Sequence, residues 1–157
     1  MKKLLLMFGF FFCAVLMVNA QDYKTAVGLR GGISQGLTVK YFVSEQHAFE
    51  GIICTRWHGT LLTGLYEKHK DFNVVPLKWY YGYGAHAGFW EGFDNHPWFD
   101  DDDSHFTLGI DGILGIEYTF YNLPINISLD WKPFFEIVGY SGFEGDSGAI
   151  SVRYTFK

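Results

Sequence analysis

The residues with the most conspicuous chemistry cluster in one stretch. Asp100, Asp101, Asp102 and Asp103 are consecutive, and clusters of carboxylate oxygens suit Ca²⁺ or Mg²⁺. Consecutive acids cannot all point at one ion, however, and no spaced calcium-loop pattern surrounds them. A solvated acidic loop is the simpler account, so the run stands only as a weak cation-binding candidate. Ser104 and His105 follow directly and carry the groups of a hydrolytic pair. Adjacency in sequence does not establish catalytic geometry. The remaining histidines, His47, His58, His69, His86 and His96, show neither helical pairing nor zinc-ligand spacing with cysteine. The expectation is therefore no catalytic residue, no metal centre and no cofactor.

The elements that would position these groups begin after a leader. Lys2 and Lys3 precede an apolar run from Leu4 to Val18, and Val18-Asn19-Ala20 offers small residues where a signal peptidase cuts. This pattern reads as a secretory signal peptide cleaved near Ala20. Its Cys13 follows Phe11-Phe12, not the small residues that a lipoprotein site needs. Removing residues 1–20 leaves one domain of 137 residues, 21–157, with Cys54 as its lone cysteine. An internal disulfide is thereby excluded. Cys54 lies two residues before Arg56, and a nearby cation would favour a reactive thiolate; a small buried filler is the simpler role. After cleavage, 10 Lys and Arg face 17 Asp and Glu, and six of the acids (Glu91, Asp94 and Asp100 to Asp103) fall between Trp90 and Phe106 with no base among them. One acidic loop on a nearly neutral body offers nothing to nucleic acid.

The rest of the chain alternates apolar and polar residues with the period of strands. Eight segments emerge: Tyr23–Ile33, Leu37–Val43, Ala48–Trp57, Thr60–Lys68, Leu77–Phe89, Thr107–Thr119, a seventh starting at Ile125, and Gly148–Phe156. In the first, Tyr23, Val27 and Leu29 share a face against Lys24, Gly28 and Arg30. The seventh has the cleanest pattern: Ile125, Ile127, Leu129 and Trp131 oppose Asn126, Ser128, Asp130 and Lys132. Pro133 suits a strand end or bulge. In the fourth, Leu61-Leu62 and Leu65-Tyr66 break the alternation, and the facing of Thr60–Lys68 stays open. Glu67–Pro76 reads as a polar connection and Gly139–Ser147 as a Gly-rich loop.

One face of these strands is almost free of charge. The other carries both signs: Arg30, Lys40, Glu50, Arg56, Lys78, Asp111, Glu117, Asp130, Lys132 and Arg153. Mixed charge and many glycines suit a narrow interior in which ions pair, and eight strands enclose a space that side chains can fill. Trp57, Trp79, Tyr118, Trp131, Tyr154 and Phe156 sit towards strand ends, where lipid-interface aromatics belong. The last strand, with Ile150, Val152, Tyr154 and Phe156 on one face and Phe156 next to the end, resembles the closing strand of small Gram-negative outer-membrane β-barrel proteins; Lys157 is a departure from the strictly terminal aromatic.

That resemblance implies an all-β, eight-stranded antiparallel up-and-down transmembrane barrel in the outer membrane, monomeric, with both termini in the periplasm and surface loops at Trp90–Phe106 and Ile137–Ser147. It implies outer-membrane lipid and lipopolysaccharide as surroundings, and the barrel-assembly machinery as reader of the last strand. The expected role is structural or surface-binding and non-catalytic. Two alternatives share the fold. One is an enzyme of the lipid A acylase or deacylase kind, whose motifs do not match here residue by residue. The other is a soluble lipocalin-like carrier, in which the apolar face would turn inward around a small hydrophobic ligand.

Overall fold

A computed structural model describes residues 23–56, 59–72, 76–90, 105–139 and 142–156. Ten strands are defined: β1 (Thr25–Gly32), β2 (Gln35–Ser44), β3 (His47–Arg56), β4 (Gly59–Asp71), β5 (Leu77–Trp90), β6 (His105–Thr119), β7 (Ile125–Trp131), β8 (Phe134–Val138), β9 (Gly142–Glu144) and β10 (Gly148–Phe156). Consecutive strands pair antiparallel from β1 to β7. β10 pairs with both β1 and β7, which closes the sheet on itself. β7 and β8 both pair with β6, and β8 pairs with β9. They form one wall strand interrupted at Lys132-Pro133, and β9 and β10 form another. The result is a closed, eight-stranded antiparallel up-and-down barrel, with no helix among the described residues.

Pro133 has no N–H to donate and would end an ordinary central strand. Here the ladder is carried past it by neighbours: Gly112 N–H donates to the Pro133 carbonyl at 2.9 Å, and Lys132 N–H to the Ser147 carbonyl at 2.9 Å. The strand then continues for five residues, and Glu136 enters the interior. Part of the expected Gly139–Ser147 loop is strand as well, since Gly142–Glu144 extends the sheet. Trp131 accordingly lies in the middle of a wall strand rather than at its end.

The faces divide cleanly. Leu29, Leu37, Phe49, Ile53, Tyr83, Ile110, Leu129 and Ile150 are exposed on the outside. Among the described residues, twenty buried side chains are polar or charged and only eleven are apolar, the reverse of a water-soluble core. The buried apolar minority gathers as Ile52, Cys54, Leu61, Leu65, Tyr80 and Ile113. That cluster explains β4. Leu61, Thr63, Leu65, Glu67 and His69 point inward and Leu62 outward, so apolar residues stand on both faces and alternation disappears from the sequence. The strand also runs to Asp71, which corrects the expected connection: Glu67 and His69 are inward-facing strand residues.

The first strand needs a second correction. Tyr23 is buried, whereas Val27 and Leu29 are exposed. The chain bends at Lys24, ahead of β1, and the bend turns the Tyr23 ring into the barrel end. There Tyr23 packs edge-on against Phe42 at 5.2 Å and donates its hydroxyl to Glu117 at 3.3 Å.

Candidate functional site

The chemistry of the described residues is concentrated in the interior, where polar side chains from every wall strand meet. Their meeting is a consequence of register. Lys40 stands opposite Glu50 across β2 and β3, and Gly115 stands opposite Tyr80 across β5 and β6. A Cβ at Gly115 would lie 2.6 Å from the Tyr80 ring, so glycine is what lets that ring cross the lumen. Gly109 makes the same allowance for His86, its partner in register.

The first group of ions occupies the half of the barrel nearer the chain termini. Lys40 Nζ lies 2.8 Å from Glu67, 3.3 Å from Glu50 and 3.6 Å from Glu117, and sits 4.0 Å from the centroid of the Tyr80 ring. Arg153 donates to Glu50 at 2.5 Å, to Ser128 at 2.7 Å, and to Asn126 and Thr38 at 3.3 Å. The Thr38 hydroxyl also donates to Glu50. His69 stacks on Tyr80, with centroids 5.0 Å apart. Its Nε2 is 3.0 Å from Glu67 and its Nδ1 is 3.2 Å from Glu117; the second contact is a charge approach rather than an aligned hydrogen bond, since Nδ1 has no hydrogen-bond partner of good geometry. Two permanent cations thus face three carboxylates, and the His69 imidazole stands between two of them.

Above it, Arg30 grips Asp130 with both terminal nitrogens, one at 2.8 Å. Tyr80 donates to the same carboxylate at 3.2 Å. A further group lies towards the opposite end. Lys132 pairs with Asp111 at 2.5 Å, and His86 bridges Asp111 at 2.8 Å and Glu136 at 3.1 Å. The Phe134 ring meets His86 edge-on at 5.0 Å. Again one permanent cation faces two carboxylates, with the imidazole between them. Burying an unpaired ion is costly, and this network leaves each of its ions with an opposite charge in contact.

Of the charges singled out from the sequence, Arg30, Lys40, Glu50, Asp111, Glu117, Asp130, Lys132 and Arg153 are all buried in the interior. Lys78 is not deep: it lies at the rim, 3.8 Å from the exposed Asp71. The Arg56 side chain is outside the described residues. Among the aromatics, Tyr118, Trp131 and Phe156 are exposed on the outer wall, with Trp79 and Tyr154 half-buried; Trp57 is outside the described residues. So are Asp100 to Asp103 and Ser104, while His105 contributes its backbone to β6. Cys54 is a free thiol buried in the apolar cluster. Among the described residues, no group of three His, Cys, Asp or Glu is arranged to hold a metal ion.

Reading by sequence missed Glu67, His69, Glu136 and Tyr23. A partial signal was present for β4: Leu61, Leu65, Glu67 and His69 keep a strict period of two with the polar Thr63 among them. For Glu136 there was none, because Pro133 hides the continuing strand.

No protein-family model matches the chain, and no curated protein sequence matches it. Among solved structures, the chain is similar to the N-terminal β-barrel domain of Pseudomonas aeruginosa OprF. The TM-score is 0.68 at 13% identity, covering 87% of this chain and 100% of that one. At that identity the likeness is one of fold.

Proposed function

We propose that this chain is an integral outer-membrane β-barrel of a Gram-negative envelope, exported by a leader cleaved near Ala20. Its role is structural or surface-binding, it is non-catalytic, and its lumen is filled by its own side chains. The observation that carries this reading is the inversion of polarity around the whole wall. Leu29 is 67% exposed and Tyr83 69% exposed, while Arg153 and Lys40 are at most 1% exposed. A wall of that kind is stable where the outside solvent is hydrocarbon, and a closed barrel satisfies the backbone polar groups there. The fold likeness to the OprF barrel domain supports the same reading.

The soluble-carrier alternative requires an inward apolar face around a ligand, and the inward face here is charged. Outer-membrane lipid and lipopolysaccharide are the proposed surroundings, the assembly machinery the reader of β10, the monomer the working form, and the loops at the end away from the termini the binding surfaces. The test is fractionation of the envelope followed by electrophoresis in mild detergent, unheated against boiled. A folded barrel in the outer-membrane fraction shifts mobility on boiling. Recovery in the soluble fraction with no shift would refute the proposal.

A further inference from the structure

The outer wall carries two features that the lumen network does not use, and they adjoin. The first is an apolar groove of about 690 Å³ lined by Phe72, Trp79, Leu114, Ile116, Leu129 and Trp131. Its walls follow from register. Trp79 faces Ile116 across β5 and β6, Ile116 faces Leu129 across β6 and β7, and Leu114 faces Trp131. An indole therefore stands on each side of an aliphatic floor, and the Gly115–Asp130 rung runs beneath.

The second feature is basic. Lys68 and Lys70 share the outward face of β4 with Tyr66, opposite Tyr81 and Trp79 in register. The Lys70 ammonium lies 5.2 Å from the Trp79 ring centroid and 5.7 Å from that of Tyr81. Lys24, at the same end of the barrel, lies over Tyr41 at 5.6 Å. Of the nearby carboxylates, Asp71 is engaged with Lys78, and Glu67 and Glu117 point inward to Lys40 and His69; Glu45 stands exposed in the turn before β3. At the opposite end, β5 and β6 are joined by a segment whose sequence has the contrary sign, with Glu91, Asp94 and Asp100 to Asp103.

We propose that Lys68, Lys70 and the Trp79–Trp131 groove form a seat for one anionic glycerophospholipid from the leaflet at the end of the barrel that holds the chain termini. The proposal rests on the membrane reading above. The phosphate sits on the two ammonium groups, which reach the headgroup level on long apolar stems. One acyl chain lies along the groove towards Trp131, continuous with the apolar wall, and the Trp79 ring beside Lys70 marks the interface. The charge contrast between the two ends selects the leaflet, because the acidic end repels an anionic headgroup.

The test uses the full barrel in nanodiscs made from equal parts phosphatidylglycerol and phosphatidylcholine, with the lipids that stay on the protein identified by native mass spectrometry. The heat-dependent mobility shift is checked first; its absence would count against the membrane reading, not against the seat. Phosphatidylglycerol is expected to be retained over phosphatidylcholine by about fivefold per lysine, from the attraction of a basic side chain to an anionic surface. Lys68→Gln with Lys70→Gln should bring retention to parity, and Lys24→Gln should leave it unchanged. Leu129→Trp fills the groove without touching the lysines and should release the retained lipid. Equal retention in the parent protein, an undiminished preference in the double lysine variant, or full retention in Leu129→Trp would each overturn the proposal.

Discussion

Replacing Arg30 with Met tests whether the lumen is a dry, ion-paired interior. The guanidinium holds Asp130 through two nitrogens, and both side chains are at most 1% exposed. Losing one member of a buried pair leaves an uncompensated charge and costs about 3–5 kcal/mol. In the Arg30→Met variant, Asp130 keeps only the Tyr80 hydroxyl among the contacts described here, at 3.2 Å, a bond worth ~1.5–3 kcal/mol when it meets an ion. With Asp130→Asn added, the stranded charge is gone and Tyr80 retains an acceptor. The pair of changes should then cost only about 1–2 kcal/mol, the value of the lost hydrogen bonds. Urea unfolding of the barrel in micelles reads both. With a slope of ~2 kcal/mol/M, the single variant should move the midpoint down by roughly 2 M and the double variant by about 0.5–1 M. A single-variant loss below ~1 kcal/mol, equal to that of the double, would mean that water reaches Asp130 and screens it. The filled-lumen account would then fail.

Other consequences follow from the same geometry. Leu129→Arg puts a charge on the outer wall and should cost about 2–4 kcal/mol near mid-bilayer, read as a lost yield of the heat-shifting form; normal yield would place that face in water. Gly115→Ala drives a methyl into Tyr80 and should cost ~1–3 kcal/mol by overpacking, with a smaller loss in a Tyr80→Leu background, both from urea midpoints. His69→Gln leaves Glu67 and Glu117 to Lys40 and should cost ~3 kcal/mol or more as a broken buried charge cluster. His47→Gln, which gives up a contact with Ser44 and a ring stack on Tyr66, should cost ~1 kcal/mol at most; equal effects at the two histidines would contradict the assignment of His69 to the network.

How far the sequence could be read depended on which face carried the contrast. β7 alternates cleanly because its outward residues are aliphatic or aromatic and its inward residues are Asn126, Ser128 and Asp130, with Lys132 following in phase, so the period was plain. β4 was opaque because Leu61 and Leu65 fill the lumen beside Ile52 and Tyr80, which puts apolar residues on both faces. The interior charges on β1, β2, β3, β6, β7 and β10 could be placed by parity alone. Their partners could not, because Arg30–Asp130 and Arg153–Glu50 join residues 100 or more apart in sequence. Glu136 stayed hidden for a local reason: Pro133 reads as a stop, and hydrogen bonds with the two neighbouring strands, from Gly112 N–H and to the Ser147 carbonyl, carry the ladder across it. The lipid seat was invisible for the same kind of reason, since Lys70, Trp79, Ile116 and Leu129 come from four different strands.

The most direct test of the central claim is the environment of the outer wall. Nitroxide labels placed one at a time by cysteine at Ile127, Leu129, Ile150 and Val152, in a Cys54→Ser background, would be read in phospholipid vesicles for collision with oxygen and with a water-soluble nickel reagent. The account predicts strong collision with oxygen and weak collision with nickel at all four positions, as for residues immersed in hydrocarbon. Strong nickel collision at these positions would contradict it, and the apolar wall would have to face water or a partner protein instead.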